Sequence, residues 1–267
     1  MHSLFGAQAK IRRARRQIRT LRRHLRKAMG GPGGKSFRAD LRHDSYEGSP
    51  ALTLYVVDIP NFSTDISALI GEIVHDLRSS LDQLAWALIP YSTKRTMKRG
   101  AIQQVYFPMA VSSRNFDRVI TQRIPHANSE HQRFLKEFQP FRRTARGRAM
   151  RTLHVLSNTD KHRSLVPALF FPLRARVNLT FDEAIELERI IRIPKGVPMS
   201  IGTDLVTWRL SARPRNVQLS YTFANTPCFS PALIRPRPGN DAEDVSGTLT
   251  TIATYCDEIV AHFEAAG

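Results

Sequence analysis

Cysteine is nearly missing from this chain: its 267 residues hold two, Cys228 and Cys256. Two thiols so placed match no metal-ligand spacing and build no disulfide framework, so no metal, no cofactor and no stapled secreted scaffold are expected. A reducing cytoplasm is the expected setting. Long apolar runs are missing too. There is no stretch of about 18 apolar residues to span a bilayer, and no basic start followed by an apolar signal core, so neither a membrane span nor secretion is expected. H-E-x-x-H, C-x-x-C, a nucleophile elbow and a glycine-rich strand-to-helix turn are all absent, which removes the common zinc, serine-hydrolase and nucleotide chemistries. Acids are few beside bases, 23 against 40.

What is present is a globular composition with a lopsided charge. At 42% apolar residues the chain can bury a real core, in one large domain or two small ones. Met1 to Ser45 holds thirteen Lys or Arg against two Asp, and Ser92 to Arg163 holds sixteen against four. The remaining stretches are net acidic. Two basic blocks therefore bracket a more acidic segment, a distribution that attracts polyanions, nucleic acid above all.

The first block reads as a helix. Ile11, Ala14, Ile18, Leu21, Leu25 and Ala28 repeat every three or four residues, forming a narrow apolar seam. Arg12, Arg13, Arg15, Arg16, Arg19, Arg22, Arg23 and Arg26 fill the intervening positions and are the expected nucleic-acid contacts. The helix is expected to extend beyond the body, its seam docking on its own chain, on a second copy or on a partner protein. Removing Met1 to Gly34 is then expected to take away polyanion binding and leave the rest folded. The run from Gly30 to Gly34 ends the helix as a joint, since no strand and helix frame it as a phosphate loop.

Beyond the joint, Leu52 to Ile59 alternates as a strand, and Ser63 or Thr64 caps a long helix to Ile89. Ile66, Leu69, Ile70, Ile73, Val74, Leu77, Leu81, Leu84, Ala85 and Leu88 form its apolar face, and Pro90 stops it. A short strand is expected over Gln104 to Met109, then helices over Ser113 to Thr121, Glu130 to Phe138 and Thr144 to Leu156. Period two takes over afterwards. Leu165 to Phe171, Ala175 to Phe181, Ala184 to Ile193, Leu205 to Leu210 and Val217 to Phe223 read as antiparallel strands, followed by a helix carrying Val245, Leu249, Ile252, Cys256, Ile259, Val260 and Phe263. The expected class is α+β: a helical bundle with an inserted antiparallel sheet and a basic N-terminal helix. Its expected parts are the basic helix over 1–29, a flexible linker over 30–50 and an α+β domain over 51–267. Within that domain the helical part spans 61–163, the sheet 164–225 and the last helix 241–265.

Two segments concentrate polar chemistry. On the long helix, His75, Arg78, Ser79, Asp82 and Trp86 share a stripe opposite the core face, where Arg78 and Asp82 stand one turn apart. The second segment, Leu153 to Arg163, ends Asn158-Thr159-Asp160-Lys161-His162-Arg163. If that end forms a turn docked on the stripe, Arg78, Asp82, Asn158, Asp160, Lys161, His162 and Arg163 converge, either as a ligand site or as a structural clasp between helices. Trp86 is either part of that site or simply packed.

The segments Gly71 to Trp86 and Leu153 to Arg163 resemble a family of uncharacterised bacterial proteins, frequent in actinobacteria. Its members carry helices close to G-D-x-x-H-N-L-R-S-A-L-D-H-L-x-W, with N-N-x-D-K-H-R about 70 to 80 residues later. This chain departs from that pattern at Asp76, Gln83 and Ser157. The resemblance implies no activity. A distant likeness to metal-independent HEPN ribonucleases is a further alternative. They are helical bundles in which a His a few residues after an Arg transfers protons while the Arg steadies the phosphate. Arg148 and His154 have that spacing, as do two other pairs, and arginine is common enough here for chance to supply them. Catalytic candidates are thus His75, Arg78, Asp82, Arg148, His154 and His162. The leading expectation is a cytoplasmic nucleic-acid-binding protein, RNA before DNA. The alternatives are such a ribonuclease and a non-enzymatic scaffold.

Overall fold

A computed structural model describes residues 4–28, 38–59, 64–124, 128–162, 168–181, 184–192, 200–229 and 244–265. The fold is α+β. Its order is α1 (Phe5–Ala28), β1 (Arg38–Tyr46), β2 (Ser49–Asp58), α2 (Thr64–Ala87), α3 (Tyr91–Thr96), α4 (Arg99–Ile102), α5 (Ser113–Arg123), α6 (Ser129–Glu137) and α7 (Ala145–His162). There follow β3 (Ala168–Phe181), β4 (Leu187–Arg192), β5 (Asp204–Leu210), β6 (Val217–Phe229) and α8 (Val245–Ala265). These elements divide into two compact units. One holds α1 through Arg22, α2 to α7, and α8 from Ser246; the other holds the strands. Among the described residues no helix is long and apolar enough to cross a membrane.

The helical unit closes over the seam of α1. Leu4, Ala7, Ile11, Ala14, Ile18 and Leu21 are all buried, as are Ile252, Cys256, Ile259 and Val260 of α8 and Met150, Leu153 and Leu156 of α7. Polar ties run the same way. Lys10 bonds Asp76 of α2 at 2.8 Å, Gln17 bonds Glu72 at 2.8 Å, Arg15 bonds Asp257 of α8 at 3.0 Å, and Gln8 bonds Glu264 at 2.7 Å. The expectation of a helix set apart from the body is therefore corrected: α1 is a structural member of the unit, because its own chain supplies the apolar cover that the seam requires. Loss of the first helix consequently removes core.

In the strand unit, β1, β2, β5 and β4 form one antiparallel sheet in that spatial order, and β3 pairs with β6 in a second. Leu52, Leu54 and Val56 of β2 meet Leu205, Trp208 and Leu210 of β5, and Val177, Leu179, Leu219 and Tyr221 from the second sheet pack against them. Two boundaries differ from the sequence reading. Residues 38–46, placed in the linker, form β1, which joins β2 through Glu47 (φ 52°) and Gly48 (φ 81°). Two successive left-handed residues make the tight turn whose twist suits a hairpin. The strands also come from both sides of α2, so the sheet is not one block inserted before α8. The two strands expected over Leu165 to Phe171 and Ala175 to Phe181 are, from Ala168 on, the single strand β3, whose register shifts between Pro172 and Arg174. Residues 165–167 lie outside the described residues, and an irregularity lets proline pass without breaking the ladder.

Candidate functional site

The polar stripe of α2 closes on the stretch between α4 and α5. Arg78 Nη2 lies 3.0 Å from Asp82 Oδ1, and the pair holds both polar groups of one peptide residue: Phe107 N donates to Asp82 Oδ1 at 2.9 Å, and Arg78 Nη2 donates to Phe107 O at 3.0 Å. Buried Gln139, just past α6, clasps the next residues. Ala110 N donates to its Oε1 at 2.8 Å, and its Nε2 donates to Pro108 O at 3.2 Å. Residues 105–110 form no strand, which corrects the one expected over Gln104 to Met109: the backbone groups of Phe107, Pro108 and Ala110 bond to side chains instead of a neighbouring strand.

Because Arg78 is only 13% exposed and Asp82 22%, the clasp is a structural joint with little solvent to replace it. Asp82→Ala leaves the Phe107 N–H and the Arg78 charge without their partner. The expected loss is about 2–3 kcal/mol, a fall of roughly 5–10 °C in the melting temperature. Calorimetry of the variant checks this, and an unchanged melting temperature would remove the clasp.

Of α7, His154 lies near enough to Arg78 to feel its charge, while Asn158, Thr159 and Asp160 fall elsewhere. The segment expected to be a turn continues as the last turns of α7, with Thr159 Oγ1 bonded to Val155 O at 3.0 Å. Helices α2 and α7 do pack together, and Asp160 sits directly against Gly71, where a Cβ would collide with its carboxylate. Asn158 Nδ2 lies 3.2 Å from His154 Nε2. None of Asn158, Thr159 and Asp160 shares a hydrogen bond with Arg78 or Asp82 among the described residues. Lys161 and His162 lie on the helix backbone, their side chains outside the described set, and Arg163 lies outside the described residues. His75 is exposed. Arg148 is exposed and donates to Arg143 O on its own chain at 3.3 Å. Six residues of helix rotate a side chain by roughly 240°, so Arg148 and His154 project from different faces of α7.

His154 is half-buried. Burial first, and then the nearby Arg78 charge, hold its imidazole below the ordinary value of about 6.5. His262, stacked on Phe134 at 3.5 Å, is lowered similarly, by burial and then by the charge of His131. The folded state therefore takes up protons less readily than the unfolded chain. That contribution is complete above pH of about 6.5 and is lost as the pH falls below it toward the folded value. Melting temperature should drop between pH 7 and pH 5, and drop less in His154→Gln. An equal drop in parent and variant would exclude His154 as a source. Cys256 is wholly buried, its thiol pushed up to about 12 by desolvation, and is no nucleophile.

The arginines of α1 separate into two sets. Arg13, Arg15 and Arg22 face acids or hydroxyls of the bundle, at Asp76, Asp257 and Thr250. Arg12, Arg16, Arg19, Arg23 and Arg26 are exposed and follow helical spacing along one stripe. Arg12 lies over the Phe5 ring, and the others form no ion pair with a described acid. The sequence reading missed Asp76, which is buried on α2 between Lys10 and Arg13. Its Oδ1 accepts from Lys10, while Arg13 Nε stands 3.2 Å from Oδ2 without hydrogen-bond alignment. Its signal was in the pattern: Asp76 follows Leu69 and Ile73 at core spacing.

No family model, no curated protein and no solved structure matches the chain. Among the described residues no group of three His, Cys, Asp or Glu is placed to hold a metal ion.

Proposed function

We propose that this is a cytoplasmic nucleic-acid-binding protein whose primary contact is the outward stripe of α1, with RNA the expected partner. The observation that carries the reading is the division of labour along that helix. The apolar seam that a partner protein would have covered is buried within the chain, while Arg12, Arg16, Arg19, Arg23 and Arg26 stay exposed. From first to last they span about 21 Å, comparable to roughly six phosphates along one strand of a duplex. A helix held rigid on one side can present such charges without ordering them anew for each encounter.

Replacing Arg16, Arg19, Arg23 and Arg26 by Gln preserves the seam and removes four phosphate contacts. The slope of log affinity against log salt should fall by about three units, with the melting temperature unchanged. The measurement is fluorescence anisotropy with labelled RNA and duplex DNA across a salt series. If the full chain binds either no better than a neutral control at low salt, the reading fails.

A further inference from the structure

Five of the six exposed large apolar side chains of the helical unit lie within one stretch of the chain, residues 86–111; the sixth is Phe5 on α1. Trp86, Tyr91, Ile102, Tyr106 and Val111 all project to solvent from the end of α2, from α3 and α4, and from the stretch leading to α5; Trp86 is 37%, Tyr106 45% and Tyr91 75% exposed. Single exposed apolar residues are ordinary, but a run of rings is not. The same residues, 91–123, carry seven Lys or Arg against the single acid Asp117. Rings and cations are also paired in space: Lys94 Nζ stands 5.1 Å from the Trp86 ring centroid, and the Arg123 guanidinium carbon 5.5 Å from that of Tyr106.

The mounting is rigid. Tyr106 precedes Phe107, whose N–H and C=O are both held by the Arg78–Asp82 pair, and Arg123 Nη1 donates to Gln104 O at 2.7 Å. Trp86 stands one helical turn after Asp82. The two rings therefore flank one joint, with a cation beside each. Flat π faces alternating with positive charge suit bases and the phosphates that link them, and base–aromatic stacking is worth about 1–3 kcal/mol per base. A duplex hides its base faces; a single strand offers them.

We infer that the edge bearing Trp86, Tyr91, Tyr106, Lys94 and Arg123 is a stacking platform for single-stranded nucleic acid. The inference rests on the nucleic-acid reading above and narrows its ligand: α1 supplies contacts to phosphates of any form, and this edge selects strands whose bases are free. The charges near the rings favour a polynucleotide over a lipid surface because three of the five apolar groups are aromatic and two of those rings have a cation over them.

The test uses the full chain with a labelled oligouridylate and a blunt RNA duplex of equal length, read by anisotropy. Trp86→Ala, Tyr91→Ala and Tyr106→Ala should each weaken single-strand binding by roughly tenfold and leave duplex binding within about twofold of the parent, the scale of an unperturbed site. Tyr91, the most exposed ring, serves as the variant without a packing role. Single-strand binding should also quench tryptophan emission, and the quench should vanish in Trp86→Phe, since the other tryptophan, Trp208, is buried. Ring variants that stay folded and bind the oligouridylate as the parent does would overturn the platform. If the α1 substitutions still abolish binding in that case, the general reading stands alone. If neither strand form binds at all, both fail. Unaltered RNA binding together with lost partition onto anionic vesicles, or with a changed oligomeric mass, would assign the edge to lipid or to a second copy and overturn the platform likewise.

Discussion

Deleting residues 1–28 is expected to unfold the helical unit. Leu4, Ile11, Ile18 and Leu21 are almost wholly buried in it, and burying four such side chains contributes roughly 6–12 kcal/mol. That equals the whole net stability of a typical domain, about 5–15 kcal/mol. The deletion also strips Asp76 of both its cationic partners, Lys10 and Arg13. Loss of nucleic-acid binding in such a truncation would therefore report unfolding, and only substitutions confined to the outward stripe separate the two roles of α1. Circular dichroism of residues 29–267 decides the matter. A cooperative transition at the full-length melting temperature would show that the seam contributes little.

The second large effect concerns that buried acid, and its sign depends on which partner is removed. Lys10→Met should lower stability by about 3 kcal/mol, because it removes the one hydrogen-bond donor to a carboxylate whose side chain is only 2% exposed and leaves it only the poorly aligned Arg13. The melting temperature should fall by roughly 6–12 °C. Asp76→Asn should lower it much less: the amide still accepts from Lys10, which keeps access to solvent, as does Arg13. The double variant Lys10→Met with Asp76→Asn should then be more stable than Lys10→Met alone, since no buried charge remains. Additive losses across this cycle would show that the two groups do not interact.

The elements whose apolar residues keep a single period were legible in the chain itself. The seam of α1, the face of α2 and the stripe of α8 recur at helical spacing, and β5 and β6 alternate, so each declares its type without reference to a neighbour. Where both faces are polar, no such signal exists. Residues 38–46 bury few side chains and turn through Glu47-Gly48, not one of the common hairpin pairs, and only pairing with β2 makes them a strand. The end of α7 reads as a turn by composition. It stays helical because Thr159 bonds back to Val155 and the helix packs on α2 beside Gly71.

The candidate site divides in the same way. Spacing along one helix suffices to bring Arg78 beside Asp82, since four residues apart on a helix is contact distance whatever surrounds them. What that pair holds could not be read there, because Phe107 is 25 residues from Asp82 and its partners are backbone atoms, which carry no residue identity. The same limit applies to the rings: spacing put Trp86 on the stripe opposite the core face without saying whether it was packed, and Tyr106 fell within an expected strand, so exposure, a property of the packed chain, is what sets them apart. The sequence by itself determined the type of those elements whose apolar residues keep one period, and the sign and spacing of the charges, which are local quantities. Only the tertiary structure decided which arginines of α1 are tied down and which face outward, because that depends on where the acids of α2 and α8 come to rest.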